Sequence, residues 1–288
     1  MMVKKDSICA EAIKNTLSYR SIFKYSLSLF QLRTMMISKE EISDDVFINE
    51  LDGLVKRGGV KSRSKRYYAR GYRPVDWNVR AASSKKLIEN SRPALKALNT
   101  IPWIKLLCIT GSVAAYNADK NADIDVFIVC TKNRLWLTRF FTVVMLKVLG
   151  KYRSDTEPAG RICPNIYVDE KNIIWPKNKR NLYVAQEITM MHPIINKDNT
   201  YFKFIESNDW IFEYFRNFAI DTSVTPHPNL NRQSRLVNIA EDVLRRYQVW
   251  YMKKRKTNEI TEKHLIHFNR EDWTEKILGK YSGLIKKR

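Results

Sequence analysis

The sequence predicts an α+β fold, and three features support this prediction. Residues 105–129 contain two apolar segments of strand length, separated by a Gly-Ser pair and a short polar stretch. Residues 60–72 have the composition of two short strands joined by a polar turn. Most of the remaining chain places its apolar residues at the spacing of amphipathic helices.

Residues 1–75 are predicted to form a small N-terminal module of three helices and a hairpin. Helical patterns cover residues 7–23 and 26–36, and Ser43 is a suitable N-cap for a third helix. Four apolar residues of that helix form one stripe: Phe47, Leu51, Leu54 and Val55. Three helices followed by a β-hairpin resemble a winged-helix domain.

The hairpin of this module is strongly basic. Between Lys56 and Arg73 there are eight Lys or Arg residues and no acidic residue, with Tyr67, Tyr68 and Tyr72 among them. Basic side chains neutralise phosphates, and aromatic rings stack on bases. We therefore expect this hairpin to contact nucleic acid. The alternative is that it packs on the rest of the protein with its charges solvated.

The second region, residues 76–170, contains the candidate site. Its first strand ends at Gly111 and Ser112, where a turn without a side chain lets backbone N–H groups approach a phosphate. Its second strand opens with Asp123 and Asp125, which project from the same face because side chains alternate along a strand. Paired carboxylates repel each other unless a cation lies between them, so they predict a site for Mg²⁺ or a similar ion.

This arrangement resembles the DNA polymerase β-type nucleotidyltransferase superfamily, which includes poly(A) polymerases, CCA-adding enzymes and aminoglycoside nucleotidyltransferases. The similar pattern is a hydrophobic strand, Gly-Ser, ten residues and then Asp-x-Asp at a second hydrophobic strand. The resemblance covers residues 103–170. It implies the small mixed sheet of the minimal nucleotidyltransferase fold, two Mg²⁺ ions held by Asp123 and Asp125, and phosphate binding by Gly111 and Ser112.

The superfamily usually supplies a third carboxylate from a later strand, for which residues 162–170 are the candidate. Asp169 has the parity to face a polar site, so the resemblance predicts that it completes the metal site or accepts a hydroxyl proton. The alternative is that Asn165, in the middle of the strand, occupies this position. An Asn side chain can bind a metal ion through its carbonyl oxygen but cannot act as a general base.

Between these strands, residues 134–149 are predicted to form a helix that is apolar on nearly all sides and therefore largely buried. Its polar residues recur every four positions, which predicts one exposed stripe of Arg134, Thr138 and Thr142. Gly150 is expected to end the helix.

The third region, residues 171–288, is predicted to be helical. Residues 181–191 are amphipathic, and residues 201–218 are rich in aromatic side chains, which are expected to form core. Residues 235–256 are predicted to form a long helix.

Composition limits the classes of partner and compartment. A net charge of +21 and a pI near 9.8 favour polyanionic partners, nucleic acid or a nucleoside triphosphate first and an anionic membrane second. An acidic protein is a further alternative for the basic surface. Four widely spaced cysteines exclude a zinc motif or a disulfide framework. There is no apolar leader, and the longest apolar run has fifteen residues, so we expect a cytoplasmic protein without a membrane span.

These observations support three hypotheses for function. The first is a Mg²⁺-dependent nucleotidyltransferase that moves a nucleoside monophosphate from a nucleoside triphosphate to a hydroxyl group. The alternative is a winged-helix nucleic-acid-binding protein whose nucleotidyltransferase domain has lost catalysis and senses nucleotides. A third is an enzyme that modifies a protein or a small molecule by the same chemistry.

Overall fold

The fold belongs to the α+β class, as predicted, and the described residues form two sheets. The computed structural model describes residues 2–154, 156–220, 225–228, 235–253, 260–268 and 273–286. No helix within these ranges has the length and the apolar character needed to cross a lipid bilayer.

The N-terminal region builds a three-stranded antiparallel sheet beside three helices, in the order β1-β3-β2. Its elements are α1 (Met2–Ser21), β1 (Leu27–Ser28), α2 (Leu29–Thr34), α3 (Asp44–Lys56), β2 (Val60–Arg63) and β3 (Arg66–Ala69). The predicted stripe of α3 is buried in one cluster with Ile13 and Leu17 of α1. The hydrophobic side chains of this region therefore form a core of their own.

The central region supplies the middle of the larger sheet. Its elements are α4 (Trp77–Ala97), a 3₁₀ turn (Leu98–Thr100), β4 (Ile104–Ile109), α5 (Gly111–Ala114), β5 (Ile124–Cys130), α6 (Leu135–Val148) and β6 (Ile162–Asp169). Strand β5 pairs antiparallel with β4 and parallel with β6. Every residue of β5 after Asp125 is apolar and buried, which is typical of a strand covered on both faces.

The C-terminal region contributes strands as well as helices, which corrects the prediction for residues 171–288. Its elements are a 3₁₀ turn (Lys177–Lys179), α7 (Leu182–Thr189), β7 (His192–Asn196), α8 (Thr200–Glu206), a 3₁₀ helix (Asp209–Glu213), α9 (Arg235–Lys253), β8 (Ile260–Thr261), β9 (Leu265–His267) and α10 (Trp273–Lys286). The last residues of the predicted long helix, 254–256, lie outside the described residues.

The larger sheet has the strand order β7-β4-β5-β6-β9-β8, so two of the C-terminal strands pair directly with central ones. Strand β7 pairs antiparallel with β4, and β9 pairs antiparallel with β6. None of the three added strands exceeds five residues. Segments this short do not show a period that separates a strand from a helix or a loop.

Helices cover both faces of the larger sheet. On one face, Val126 and Ile128 of β5 lie in a hydrophobic cluster with α4 and α6. On the other face, Phe127 and Val129 cluster with α7, α8, α10 and with Tyr19 of α1. Because side chains alternate along β5, Asp125 projects to this second face. The fold thus sets Asp125 below helices that come from both ends of the chain.

Helix α6 is oriented differently from the prediction. The sequence predicts that three polar residues face solvent: Arg134, Thr138 and Thr142. These side chains are buried, whereas Val148 is 81% exposed. The Thr138 hydroxyl donates to the carbonyl of Arg134 within α6, and Thr138 and Thr142 lie against Cys130 of β5 and Tyr167 of β6. A polar stripe can be buried against a sheet when its side chains bond to the helix backbone or to polar groups of the strands.

Candidate active site

Asp123 and Asp125 lie side by side at the start of β5, together with Cys163 of β6. One ligand atom from each of the three lies within 4.8 Å of the other two, so this group could hold a metal ion. The parallel register of β5 and β6 sets Asp125 directly opposite Cys163. The structure therefore brings the two predicted carboxylates together and adds a thiol that the sequence did not indicate.

The electrostatic environment of the pair reflects two acids that are close and poorly solvated. The pKa of Asp125 is raised to about 7: burial and then the charge of Asp123 raise it, while Arg153 and a hydrogen bond with Cys163 lower it. Asp123 forms an ion pair with Arg153 at 2.8 Å. A proton on Asp125 and the cation beside Asp123 thus offset the repulsion between the two carboxylates. A bound metal ion would replace both.

Gly111 is required at its position for a conformational reason. Its φ of +64° lies in the left-handed region, which residues with a side chain rarely adopt. A Cβ atom there would also lie 3.3 Å from Oδ2 of Asp125. The preceding N–H, of Thr110, donates to the Asp125 carbonyl at 2.9 Å and holds this turn against β5. Ser112 follows on the exposed surface at the start of α5.

Asp169 does not join the pair, which corrects its predicted role as the third carboxylate. In the register of β5 and β6, Asp169 lies opposite Cys130, whereas Asp125 lies opposite Cys163. The two acids therefore lie at opposite ends of the strand pair, about 16 Å apart along β5 at a rise of ~3.3 Å per residue.

The surroundings of Asp169 show a structural role. Its side chain is fully buried, and it accepts hydrogen bonds from the backbone N–H groups of Asn133 and Lys171. A nitrogen of the His264 ring lies 3.3 Å from its second oxygen. The carboxylate of Asp169 thus holds together the turn after β5, the end of β6 and the segment before β9.

Asn165 is the residue of β6 that reaches the pair. Its Nδ2 donates a hydrogen bond to Oδ1 of Asp125 at 3.1 Å. The register of the two strands is irregular between Val126 and Phe127, and Asn165 lies at this irregularity. Of the two alternatives for the third position, the structure therefore sets Asn165, and not Asp169, beside the carboxylates.

A cavity of about 1100 Å³ opens beside this group, on the sheet face covered by α7 and α10. It is lined by polar groups from five elements: Arg20 of α1, Gly111 and Ser112 of α5, Asp125 of β5, Asn165 of β6 and Glu187 of α7. Aromatic rings of Trp175, Tyr183 and Trp273 line other parts of its wall. A ligand in this cavity would meet residues from all three regions of the chain.

Glu187 is a carboxylate of this cavity that the sequence did not reveal. It lies on α7 and is partly exposed toward the cavity. The pKa of Glu187 is raised to about 7: burial and then the charge of Asp125 raise it, while Arg20 lowers it. In the sequence, Glu187 occupies an ordinary polar position of an amphipathic helix, so only the packing of α7 over β5 reveals its location.

Comparisons of this chain with models of protein families, with curated proteins and with solved structures found no match. Function is therefore inferred from the side chains around the cavity.

Proposed function

We propose that this protein is a Mg²⁺-dependent nucleotidyltransferase, which transfers a nucleoside monophosphate from a nucleoside triphosphate to a hydroxyl group. The observation that carries the proposal is the pair Asp123 and Asp125 adjacent to the Gly111 turn, of which Asp125 lines a cavity of about 1100 Å³. A paired acidic site next to a cavity of ligand size is typical of metal-assisted phosphoryl transfer.

The donor set fits a hard cation. Carboxylate oxygens of Asp123 and Asp125 and the side-chain amide of Asn165 are oxygen ligands of the kind that Mg²⁺ prefers. Burial raises the pKa of Cys163 to about 12, so its thiol is protonated at neutral pH and is not a ligand for Mg²⁺. When bound, two Mg²⁺ ions would neutralise the charge of the triphosphate and of the attacking oxygen.

Gly111 and Ser112 would bind the triphosphate and orient it. The Ser112 hydroxyl and the backbone of the Gly111 turn would hydrogen-bond the β- and γ-phosphates, since no side chain at Gly111 blocks their approach. Catalysis of this kind consists mainly of positioning and charge neutralisation.

Glu187 is the candidate for the proton acceptor in place of Asp169. A general base works best with a pKa near the operating pH, and the pKa of Glu187 is raised to about 7. Asn165 cannot take a proton from a hydroxyl group. We therefore assign the acceptance of the hydroxyl proton to Glu187.

A transfer assay tests the proposal. Purified protein is incubated with each of the four α-³²P-labelled nucleoside triphosphates, Mg²⁺ and cell extract as a source of acceptors. We expect one labelled product with the wild-type protein. In the double variant Asp123→Asn, Asp125→Asn, the rate of its formation should fall by at least ~100-fold, because removing the carboxylates removes the metal site. Asp119→Asn is the control, since Asp119 is an exposed acid of the preceding loop that pairs with Arg80. Transfer by the double variant at the wild-type rate would refute the proposal.

The second candidate is a nucleotide-sensing protein that binds nucleic acid and does not transfer. Two observations favour it. Asn165, and not an acid, lies beside Asp125, and seven of the eight basic residues between Lys56 and Arg73 are exposed. The element order of the N-terminal region, three helices with the sheet β1-β3-β2, also suits a winged-helix domain. Nucleotide binding and DNA binding without any labelled product would select this candidate.

A further inference from the structure

Arg20 is a buried cation whose hydrogen-bonding groups are largely unused. It lies in the last turn of α1 with 1% of its surface exposed. Its Nη1 donates to the sulfur of Met190 at 3.2 Å, and a thioether is a weak acceptor. Its Nε and Nη2 have no hydrogen-bond partner, and no acid lies within ion-pair distance of it, among the described residues. These two nitrogens form one edge of the guanidinium group, the edge that binds an oxyanion through two parallel hydrogen bonds.

Such an arrangement is costly without a ligand. A buried charge that lacks a partner carries a desolvation penalty of several kcal/mol. An arginine side chain remains protonated in proteins, so Arg20 cannot avoid this penalty by losing its charge. Since Arg20 also lines the cavity, an anion bound in the cavity would supply the missing partner.

Arg20 and Asp125 belong to different elements of the cavity wall. Arg153, not Arg20, forms the ion pair with Asp123. Arg20 contacts Met190, which is one helical turn from Glu187 on the same side of α7. The charges of both Asp125 and Arg20 act on Glu187. Arg20, Glu187 and Asp125 line the same cavity, so a proton acceptor is available between the elements that carry the cation and the carboxylate.

The size and lining of the cavity suit two ligands. Its volume of about 1100 Å³ lies above the ~300–1,000 Å³ typical of a site for one small molecule. The described residues that line the cavity include three cations, Arg20, Lys179 and Lys280, and three acids, Asp125, Glu187 and Glu275. Of these cations, Arg20 is the buried one, and two of its nitrogens have no hydrogen-bond partner in the described part of the chain. A phosphate group, with several acceptor oxygens, can accept both of these hydrogen bonds at once.

We propose that Arg20 binds the phosphate group of the acceptor, which is a small phosphorylated molecule that enters the cavity from the end opposite Asp123 and Asp125. This inference rests on the nucleotidyltransferase function proposed above. With its phosphate on Arg20, the acceptor would direct a hydroxyl group past Glu187 toward the triphosphate. The N-terminal helix α1 thereby becomes part of the substrate site of the larger sheet.

Binding of inorganic phosphate, measured by titration calorimetry without metal, tests the role of Arg20. We expect Arg20→Met to weaken phosphate binding by at least ~10-fold, because it removes two charge-assisted hydrogen bonds. Arg20→Lys keeps the charge but loses the two parallel N–H donors, so its affinity for phosphate should lie between those of Arg20→Met and wild type. Arg33→Met is the matched control, since Arg33 belongs to the same region and is paired with Asp44. Thermal unfolding without phosphate should show Arg20→Met at least as stable as wild type, because an unpaired buried charge has been removed.

Binding of tripolyphosphate with Mg²⁺ distinguishes the acceptor from the nucleotide. We expect Asp123→Asn, Asp125→Asn to abolish this binding and Arg20→Met to leave it within about twofold of wild type. Equal phosphate binding by Arg20→Met and wild type would overturn the inference, as would an equally large loss of tripolyphosphate binding in Arg20→Met. If phosphate binding depends on Arg20 but the transfer assay detects no product, the proposed function fails and the anion site at Arg20 is retained.

Discussion

Asp125 and Glu187 have a property in common, a carboxyl pKa raised to about 7 mainly by burial next to the same cavity. The Asp-x-Asp pattern marks Asp125 in the sequence, whereas Glu187 occupies an ordinary polar position of an amphipathic helix. Their closeness arises where α7 crosses the face of β5. Removal of water by the overlying helices is what changes their chemistry.

The raised pKa of Glu187 predicts a pH-dependent effect on stability. Its folded-state pKa of about 7 lies above the value of 4.5 for an exposed glutamate, so the folded state favours the protonated form. The stabilisation from this proton is complete below about pH 4.5 and is lost as the pH rises through about 7. We expect Glu187→Gln to be more stable than wild type at pH 8, by on the order of 2 kcal/mol after allowance for water in the cavity, and this advantage to vanish near pH 4.5.

Urea unfolding at pH 4.5, 6 and 8 measures this difference, with Glu89→Gln as the control because Glu89 is an exposed acid of α4. A difference between Glu187→Gln and wild type that stays constant across these pH values would contradict the prediction.

The positions of the three acids Asp123, Asp125 and Asp169 differ in how far the sequence predicts them. Gly111, Asp123 and Asp125 are near one another in the chain, and the alternation of a strand was enough to predict that the two carboxylates meet. Asp169 has suitable parity but the wrong position along the strand, since the β5–β6 register sets it opposite Cys130. The face of a strand from which a side chain projects follows from the local backbone. The residue that lies opposite it depends on the register with a partner strand about forty residues away in the chain.

Helix α6 depends on its neighbour α9 for the cap of its first turn. The carboxylate of Glu241 on α9 accepts hydrogen bonds from the N–H groups of Trp136 and Leu137, both at 2.9 Å. These N–H groups belong to the first turn of α6, where a helix has no internal acceptors for them. A buried side chain from one helix thus caps the start of another, in place of an N-cap residue of its own.

Removal of this cap is expected to destabilise the fold. We predict that Glu241→Ala lowers the free energy of unfolding by about 2 kcal/mol, because two buried N–H groups lose a charged acceptor. Glu241→Gln keeps one carbonyl oxygen as an acceptor, so its free energy of unfolding should fall by about half as much. Chemical denaturation compares both with Asp242→Ala, a change at the exposed neighbouring position on α9. If Glu241→Ala and Asp242→Ala had equal effects, Glu241 would not act as a cap.

The packing of α6 on the sheet explains why the exposed side of this helix was predicted wrongly. Periodicity identifies a polar stripe but does not say whether solvent or another part of the protein faces it. Thr138 donates to the carbonyl of Arg134 within α6, and Thr138 and Thr142 lie against Cys130 and Tyr167 of the sheet. The polar stripe is therefore buried, and apolar side chains such as Val148 are exposed.

At the scale of the whole molecule, the N-terminal hairpin is strongly basic, with eight Lys or Arg residues and no acid between Lys56 and Arg73. Of the hairpin residues, Arg66 is the exception that packs inward: its guanidinium lies 4.2 Å from the centre of the Trp77 ring and bonds to Gln31. The other basic residues between Lys56 and Arg73 are exposed. One cation of the hairpin therefore packs internally and the other seven face solvent, and contact of these seven with nucleic acid stays a prediction.

Salt dependence tests whether the exposed cations bind nucleic acid. We predict that Lys61→Gln, Arg63→Gln, Lys65→Gln lowers the slope of log K against log[salt] for duplex DNA by ~0.9 for each phosphate that is no longer neutralised, up to ~3. The control is Lys85→Gln, Lys86→Gln, Lys96→Gln, which removes the same charge from exposed positions of α4. Equal changes of slope in the two triple variants, measured by fluorescence anisotropy, would show that only net charge matters.

Local sequence was sufficient for the features that depend on neighbours in the chain. It predicted the α+β class, the basic hairpin, the helices of the N-terminal region and the pairing of Asp123 with Asp125. It could not reveal the three short C-terminal strands, the remote position of Asp169, or the meeting of Arg20 with Glu187 in one cavity. Those features depend on strand register and helix docking, which are set by hydrophobic contacts between distant segments and leave no trace in local periodicity.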